Sequence, residues 1–148
     1  MPITELEVSI EIKRPLQEVV AFVDDCNNDP LWQSSVLESE KQTPGQPKVG
    51  TIYHVKEKFL GRVIEQQWQV TERNEDGSRW SAKTLSGSFP MTTSLIMELA
   101  ANGTRLTRKL SIDVGHFFKV ASPVVAHVAK RELEMDFANL KELLESGL

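Results

Sequence analysis

Three histidines, one cysteine and a few carboxylates out of pattern are the side chains of this 148-residue chain that could do chemistry. His54, His116 and His127 are far apart in sequence, with neither an HxH nor an HExxH spacing and no cysteine pair beside them, so no metal site is expected. His54 falls on the strand face that carries Lys56 and Lys58, which should be solvated. His127 lies on the polar side of a helical stretch near Lys130, and His116 sits in the loop before it. Cys26 follows Asp24 and Asp25, whose negative charge raises a thiol pKa instead of activating it. Gly87-Ser88-Phe89-Pro90 lacks the Gly-x-Ser-x-Gly pattern of a nucleophile elbow. Glu132 and Asp136 stand four apart beside apolar positions of a helix. Such a pair can meet, but it reads more simply as the flank of an amphipathic helix. No catalytic set, metal or cofactor is expected from these patterns.

The more informative residues are polar ones at apolar positions. Glu57 alternates in phase with Tyr53, Val55 and Phe59; Arg108 with Leu106, Leu110 and Ile112; Gln66 lies between Ile64 and Trp68. A buried charge must be paired, neutralised or turned out to solvent. Two readings stay open. Either Glu57 and Arg108 face a cavity and pair or grip a polar ligand group, or a bulge turns one or both outward.

The elements that position these residues follow from periodicity. Val8, Ile10 and Ile12 alternate with Glu7, Ser9 and Glu11, the period of a strand with one buried face. Pro15 ends that strand and suits a first helical turn. Leu16, Val19, Val20 and Val23 then share one helical face. Turn formers from Asp24 to Pro30 close the helix, and a second short helical turn carries Trp32. Strands are expected at 36–41, a charged edge, and at 50–59, 63–72, 78–86, from 91 to Leu99, and at 104–114. Asn102-Gly103 reads as a hairpin turn in which both residues accept positive φ. From Pro123 the period changes: Val125, Val128, Ala129, Leu133, Phe137, Leu140 and Leu144 recur at helical spacing, and Gly147 stands where a helix ends. Its apolar stripe needs a partner, and one face of the sheet is the only surface large enough.

A strand, two short helices, six strands and a long helix is the order of the helix-grip fold. Several strings also resemble the polyketide cyclase/dehydrase and lipid-transport superfamily, with its START and Bet v 1-like (SRPBCC) domains. They are Arg14-Pro15 leading into Val19 to Phe22; Asp25 and Asn28 ahead of Trp32; Lys48-Val49-Gly50-Thr51; Gly61 before Val63-Ile64-Glu65; Val70-Thr71-Glu72; Asn102 through Thr107; and Asn139-Leu140-Lys141. The resemblance implies one ligand-binding domain over 1–148. It would be an α+β curved antiparallel sheet of about seven strands around a long C-terminal helix, with two short helices after strand 1. It also implies a cavity between sheet and helix for a lipid, sterol, polyketide or similar molecule, without fixing a reaction.

On that frame the inward candidates are Tyr53, Val55, Glu57, Phe59, Gln66, Trp68, Trp80, Met91, Thr93, Leu95 and Arg108, with Val125 and Ala129 on the helix. Phe89, Phe117 and Phe118 are expected to border the mouth. The function so implied is a carrier or sensor of a small hydrophobic or amphipathic ligand. The alternatives are a cyclase, dehydratase or hydrolase using the same pocket, with Glu57 as its acid–base group, or a protein-interaction module with a vestigial pocket.

Bulk properties narrow the partners. Net charge is −4, from 17 Lys plus Arg against 21 Asp plus Glu. Arg105, Arg108 and Lys109 alternate between faces and form no basic stripe, so no nucleic-acid partner is expected. Residues 1–11 alternate polar and apolar, unlike a signal peptide, and no apolar run approaches the roughly 20 residues of a membrane span. One cysteine gives no internal disulfide. A soluble cytoplasmic protein, monomeric or weakly homodimeric, is the expectation.

Overall fold

The computed structural model describes residues 3–87, 89–113 and 122–147. Seven strands form one antiparallel sheet in the order β1-β7-β6-β5-β4-β3-β2, with β1 (Thr4–Ile12) and β2 (Val36–Lys41) at its edges. Between them lie β3 (Ile52–Phe59), β4 (Arg62–Arg73), β5 (Arg79–Ser86), β6 (Met91–Ala100) and β7 (Gly103–Ile112). After β1 come α1 (Leu16–Asp24), a 3₁₀ turn (Cys26–Asn28) and the one-turn α2 (Asp29–Trp32); α3 (Ser122–Glu145) closes the chain. The sheet curls around α3, which packs on β1 and α2, giving the helix-grip architecture. No helix among the described residues is long and apolar enough to cross a membrane.

Alternation places the core on the inner face. The C-terminal half of α3 buries Leu133, Phe137, Leu140 and Leu144 against Val8, Ile12, Leu95, Met97 and Leu106, with Val19, Val20 and Val23 of α1. Trp32 stacks on Phe137 with ring centroids 6.4 Å apart, an offset aromatic pair worth about 0.5–1.5 kcal/mol beyond its area. The N-terminal half of α3 meets a second cluster: Phe59, Ile64, Phe89, Met91, Ile112, Val125 and Ala129.

One turn differs from its sequence reading. Ala100 pairs with Gly103, so the two-residue hairpin loop is Ala101-Asn102, not Asn102-Gly103. Asn102 does not take positive φ; Gly103 does, at 152°, as the first residue of β7. The glycine is there for close approach. A Cβ on it would stand 2.1 Å from the Ile12 carbonyl oxygen and 2.8 Å from the Arg14 nitrogen.

Candidate functional site

The register settles which way the polar intruders point. β3 pairs with β4 without interruption from Ile52↔Gln69 to Phe59↔Arg62, so Glu57 stays in phase with Tyr53 and Val55 on the inner face. The bulge near it lies in β2, between Val36 and Glu38, and leaves β3 straight. β7 is likewise unbroken against both neighbours, and Arg108 sits between Val8 of β1 and Leu95 of β6, both buried inward.

Two chambers lie under the sheet. The outer, of about 130 Å³, is walled by Trp32, Tyr53, Val55, Trp68, Trp80, Ala82, Thr93 and Leu95, with Asp29, Glu57 and Arg108 among its polar residues. The inner, of about 70 Å³, lies against α3 and is lined by Phe59, Ile64, Phe89, Met91, Leu110, Ala129, Glu132, Leu133 and Asp136. Gln33, Glu57, Trp68 and Arg108 belong to both walls and form the partition. Asp24, Cys26 and Tyr53 also line a solvent-open groove beside α1, so the groove and the outer chamber share one wall, the approach side.

Arg108 is held by one hydrogen bond, from Nε to Thr93 Oγ1 at 3.2 Å. Among the described residues its terminal nitrogens have no hydrogen bond and no ion pair, although Asp136, Asp29 and Glu57 act on it at longer range. Burial pushes the carboxylates up. Glu57 rises to about 7, mainly by desolvation against the pull of Arg108. Glu132 rises to about 7 by desolvation and by repulsion from Asp136 and Glu57. Asp29 rises to about 6, its burial partly offset by the Ser39 hydroxyl, which donates to Oδ2 at 2.8 Å, and by Arg108. Burial raises Asp136 as well, against the Ser34 N–H and hydroxyl, which both donate to its Oδ1. An excess of acids around one guanidinium keeps its protons in a low-dielectric space.

This has a measurable consequence for stability. The folded chain holds the Glu57 proton to about pH 7, whereas the ordinary value is 4.5. Between those limits the native state binds more protons than the unfolded one, so stability falls as pH rises through the window. Glu57→Gln, which mimics the protonated form, should flatten that slope. At pH 8 it should be more stable than the parent by about 1–3 kcal/mol, the upper end being the full shift, or roughly 2–12 °C in Tm for a chain this long. Thermal melts of both proteins at pH 5 and pH 8 check this; parallel melting at both pH values would count against a buried Glu57.

At the approach side, Arg73 donates from both terminal nitrogens to Asp24, at 2.7 and 2.9 Å. The pair ties the end of α1 to β4 and is mostly shielded from solvent. Asp24→Ala would leave the guanidinium part-buried and alone, at an expected cost of about 1–3 kcal/mol in urea unfolding.

Of the residues singled out from the sequence, Tyr53, Val55, Glu57, Trp68, Trp80, Thr93, Leu95 and Arg108 line the outer chamber, and Phe59, Phe89, Met91 and Ala129 the inner one. Phe89 does not border a mouth: it is 5% exposed and packs into the inner core. Val125 is fully buried beneath that core and reaches neither chamber. Gln66 is inward and 2% exposed but forms no part of either wall. Gly87 closes over its side chain, and neither polar atom of its amide has a partner among the described residues. Phe117, Phe118 and His116 lie outside the described residues.

Glu132 and Asp136 are not a solvated flank. Asp136 is 4% exposed, and both line the inner chamber. The signal was there, since Asp136 is three residues after Leu133 and four before Leu140, on the apolar stripe itself. Asp29, read as a turn residue, also lines a chamber, and nothing in its local sequence marks it. The Cys26 thiol is raised, as its acidic neighbours suggest, but burial contributes most and Asp29 more than Asp25. His54 lies outward, 3.5 Å from Glu65. Among the described residues no group of His, Cys, Asp and Glu could hold a metal ion.

A half-barrel sheet gripping one long C-terminal helix is the architecture of START/Bet v 1-like proteins, and the comparisons agree. The chain belongs to the polyketide cyclase/dehydrase and lipid transport family, matched over residues 4–145, whose members typically bind hydrophobic ligands. A START superfamily protein from Mycobacterium smegmatis superposes with a TM-score of 0.81 at 16% identity, covering 97% of this chain and 98% of that one. A protein from Thermus thermophilus gives 0.78 at 16% identity, covering 99% and 100%. The major latex-like protein 151 of Panax ginseng gives 0.74 at 11%, covering 95% and 96%. At such identities these likenesses speak for the fold. No curated protein matches the chain in sequence.

Proposed function

We propose that the whole chain is one ligand-binding domain, a carrier or sensor of a small amphipathic molecule whose polar end meets Arg108 and Glu57. The observation that carries this reading is the partition itself. A guanidinium whose terminal nitrogens are unpaired among the described residues stands between an outer chamber that is mostly apolar and aromatic and an inner one shared by aromatic and acidic side chains. Pockets of this kind take an apolar body and fix it with a few polar groups. The outer chamber's 130 Å³ is close to the roughly 150 Å³ of an apolar cavity that holds benzene. A ligand of about one ring with short substituents therefore matches the closed state, and larger ones need the approach side to open.

The elevated pKa of Glu57 favours a second reading, in which the bound molecule is transformed with Glu57 as general acid or base. Native mass spectrometry of freshly purified protein, followed by solvent extraction, separates the possibilities. A retained small molecule supports binding, and its slow conversion during incubation would support catalysis. A protein that holds nothing and leaves apolar dyes dark would instead be an interaction module with a vestigial pocket. The cellular setting we assign is cytoplasmic, as a monomer or weak homodimer, without a nucleic-acid partner.

A further inference from the structure

The walls of the outer chamber carry hydrogen-bond donors that lack acceptors. Arg108 uses only Nε, toward Thr93, and its two terminal nitrogens are unpaired among the described residues. Trp32, another wall residue, is 1% exposed, and its buried indole N–H has no partner among the described residues. A buried donor left unmet is costly, and a ligand that meets it gains that cost back. The charge of the surroundings limits what can do so. Asp29 on α2, Glu57 on β3, and Glu132 and Asp136 on α3 outnumber the one guanidinium, and Asp24 already neutralises Arg73. An entering anion would join carboxyls that are partly ionised at pH 7, with Asp29 at about 6 and Glu57 and Glu132 at about 7, in a medium that amplifies repulsion. An entering ammonium would stand beside a part-buried guanidinium and leave both donors unmet.

We propose that the ligand brings an uncharged oxygen acceptor, such as a ketone, ester or amide carbonyl, to the Arg108 guanidinium and the Trp32 indole N–H. Its apolar part then lies against Trp68, Trp80 and Leu95. This rests on the reading that the cavity binds a small molecule, and it adds the chemical class of the polar end.

Calorimetric titration at pH 7 with four probes of one shape tests it: acetophenone, ethylbenzene, benzoate and benzylamine. Acetophenone should bind at least about tenfold more tightly than ethylbenzene, the size of a hydrogen bond to a charged donor. Benzoate and benzylamine should both bind more weakly than acetophenone. Trp32→Phe keeps a ring but removes the N–H, and should weaken acetophenone about 3- to 10-fold more than it weakens ethylbenzene. Ethylbenzene binding as tightly as acetophenone would overturn the inference and leave the cavity reading standing. So would benzoate or benzylamine binding best, or a Trp32→Phe loss equal for both neutral probes. If no probe binds, the cavity reading falls and the inference with it.

Discussion

Arg108→Met should fold and bind acetophenone roughly 10- to 100-fold more weakly than the parent, the range for losing a hydrogen bond to a charged group. Folding should survive because this guanidinium balances no single partner. It forms no ion pair among the described residues, and the nearby acids already sit above their ordinary values. Without the cation, Glu57 and Asp29 take up protons at higher pH instead of standing charged and alone. Methionine fills the space of the aliphatic stem and tolerates an irregular wall. The readout is calorimetry with a melt of the same sample. An unchanged affinity for the carbonyl probe would show that Arg108 is a spectator. Loss of the fold would show that the guanidinium is structural, and Trp32→Phe then becomes the deciding variant.

The largest effect on stability is expected from Gly103→Ala. An added Cβ would stand 2.1 Å from the Ile12 carbonyl oxygen and 3.0 Å from Lys13 Cα, both in backbone that cannot swing aside as a side chain could. The methyl must separate the start of β7 from the end of β1, where Thr104↔Ile12 is the last pair of the ladder. Beside that pair, the Thr104 hydroxyl donates to the Arg14 carbonyl at 2.8 Å. Splitting that corner also disturbs Ile12 and Leu106, which are almost fully buried in the main core. A loss of about 3 kcal/mol or more is expected, well above the ordinary cost of a surface substitution, measured as a shift in urea midpoint. An alanine variant within about 0.5 kcal/mol of the parent would mean that the two strands are farther apart than described.

The difference at this hairpin shows what the sequence could and could not give. Alternation put Leu106, Arg108, Leu110 and Ile112 in one phase, but only the unbroken register of β7 against both neighbours excludes a bulge that would turn Arg108 outward. The Asn-Gly signal was strong, yet the turn formed one residue earlier. There the glycine answers to a neighbouring strand that local sequence cannot reveal. Long α3 was legible from its stripe, and so was its grip on the sheet, since no other surface could cover it. The site was half legible. Glu57 and Arg108 stood out as polar residues in apolar phase, and Asp136 sits on the apolar stripe for the same reason. Asp29 and the unpaired indole of Trp32 became visible only when α2 was placed across the chamber. Gln66 shows the opposite error, because inward phase alone does not bring a side chain to a cavity surface.

A ¹H–¹⁵N titration with acetophenone, read at the indole and guanidinium N–H groups and at backbone amides, tests the internal cavity most directly. The expected result is saturable shifts at the side-chain N–H of Trp68, Trp80 and Arg108, with Ser81, Ser94 and Lys109 on the outer face silent. Shifts spread over that outer face, or none at the three inner groups up to the solubility of the probe, would contradict it.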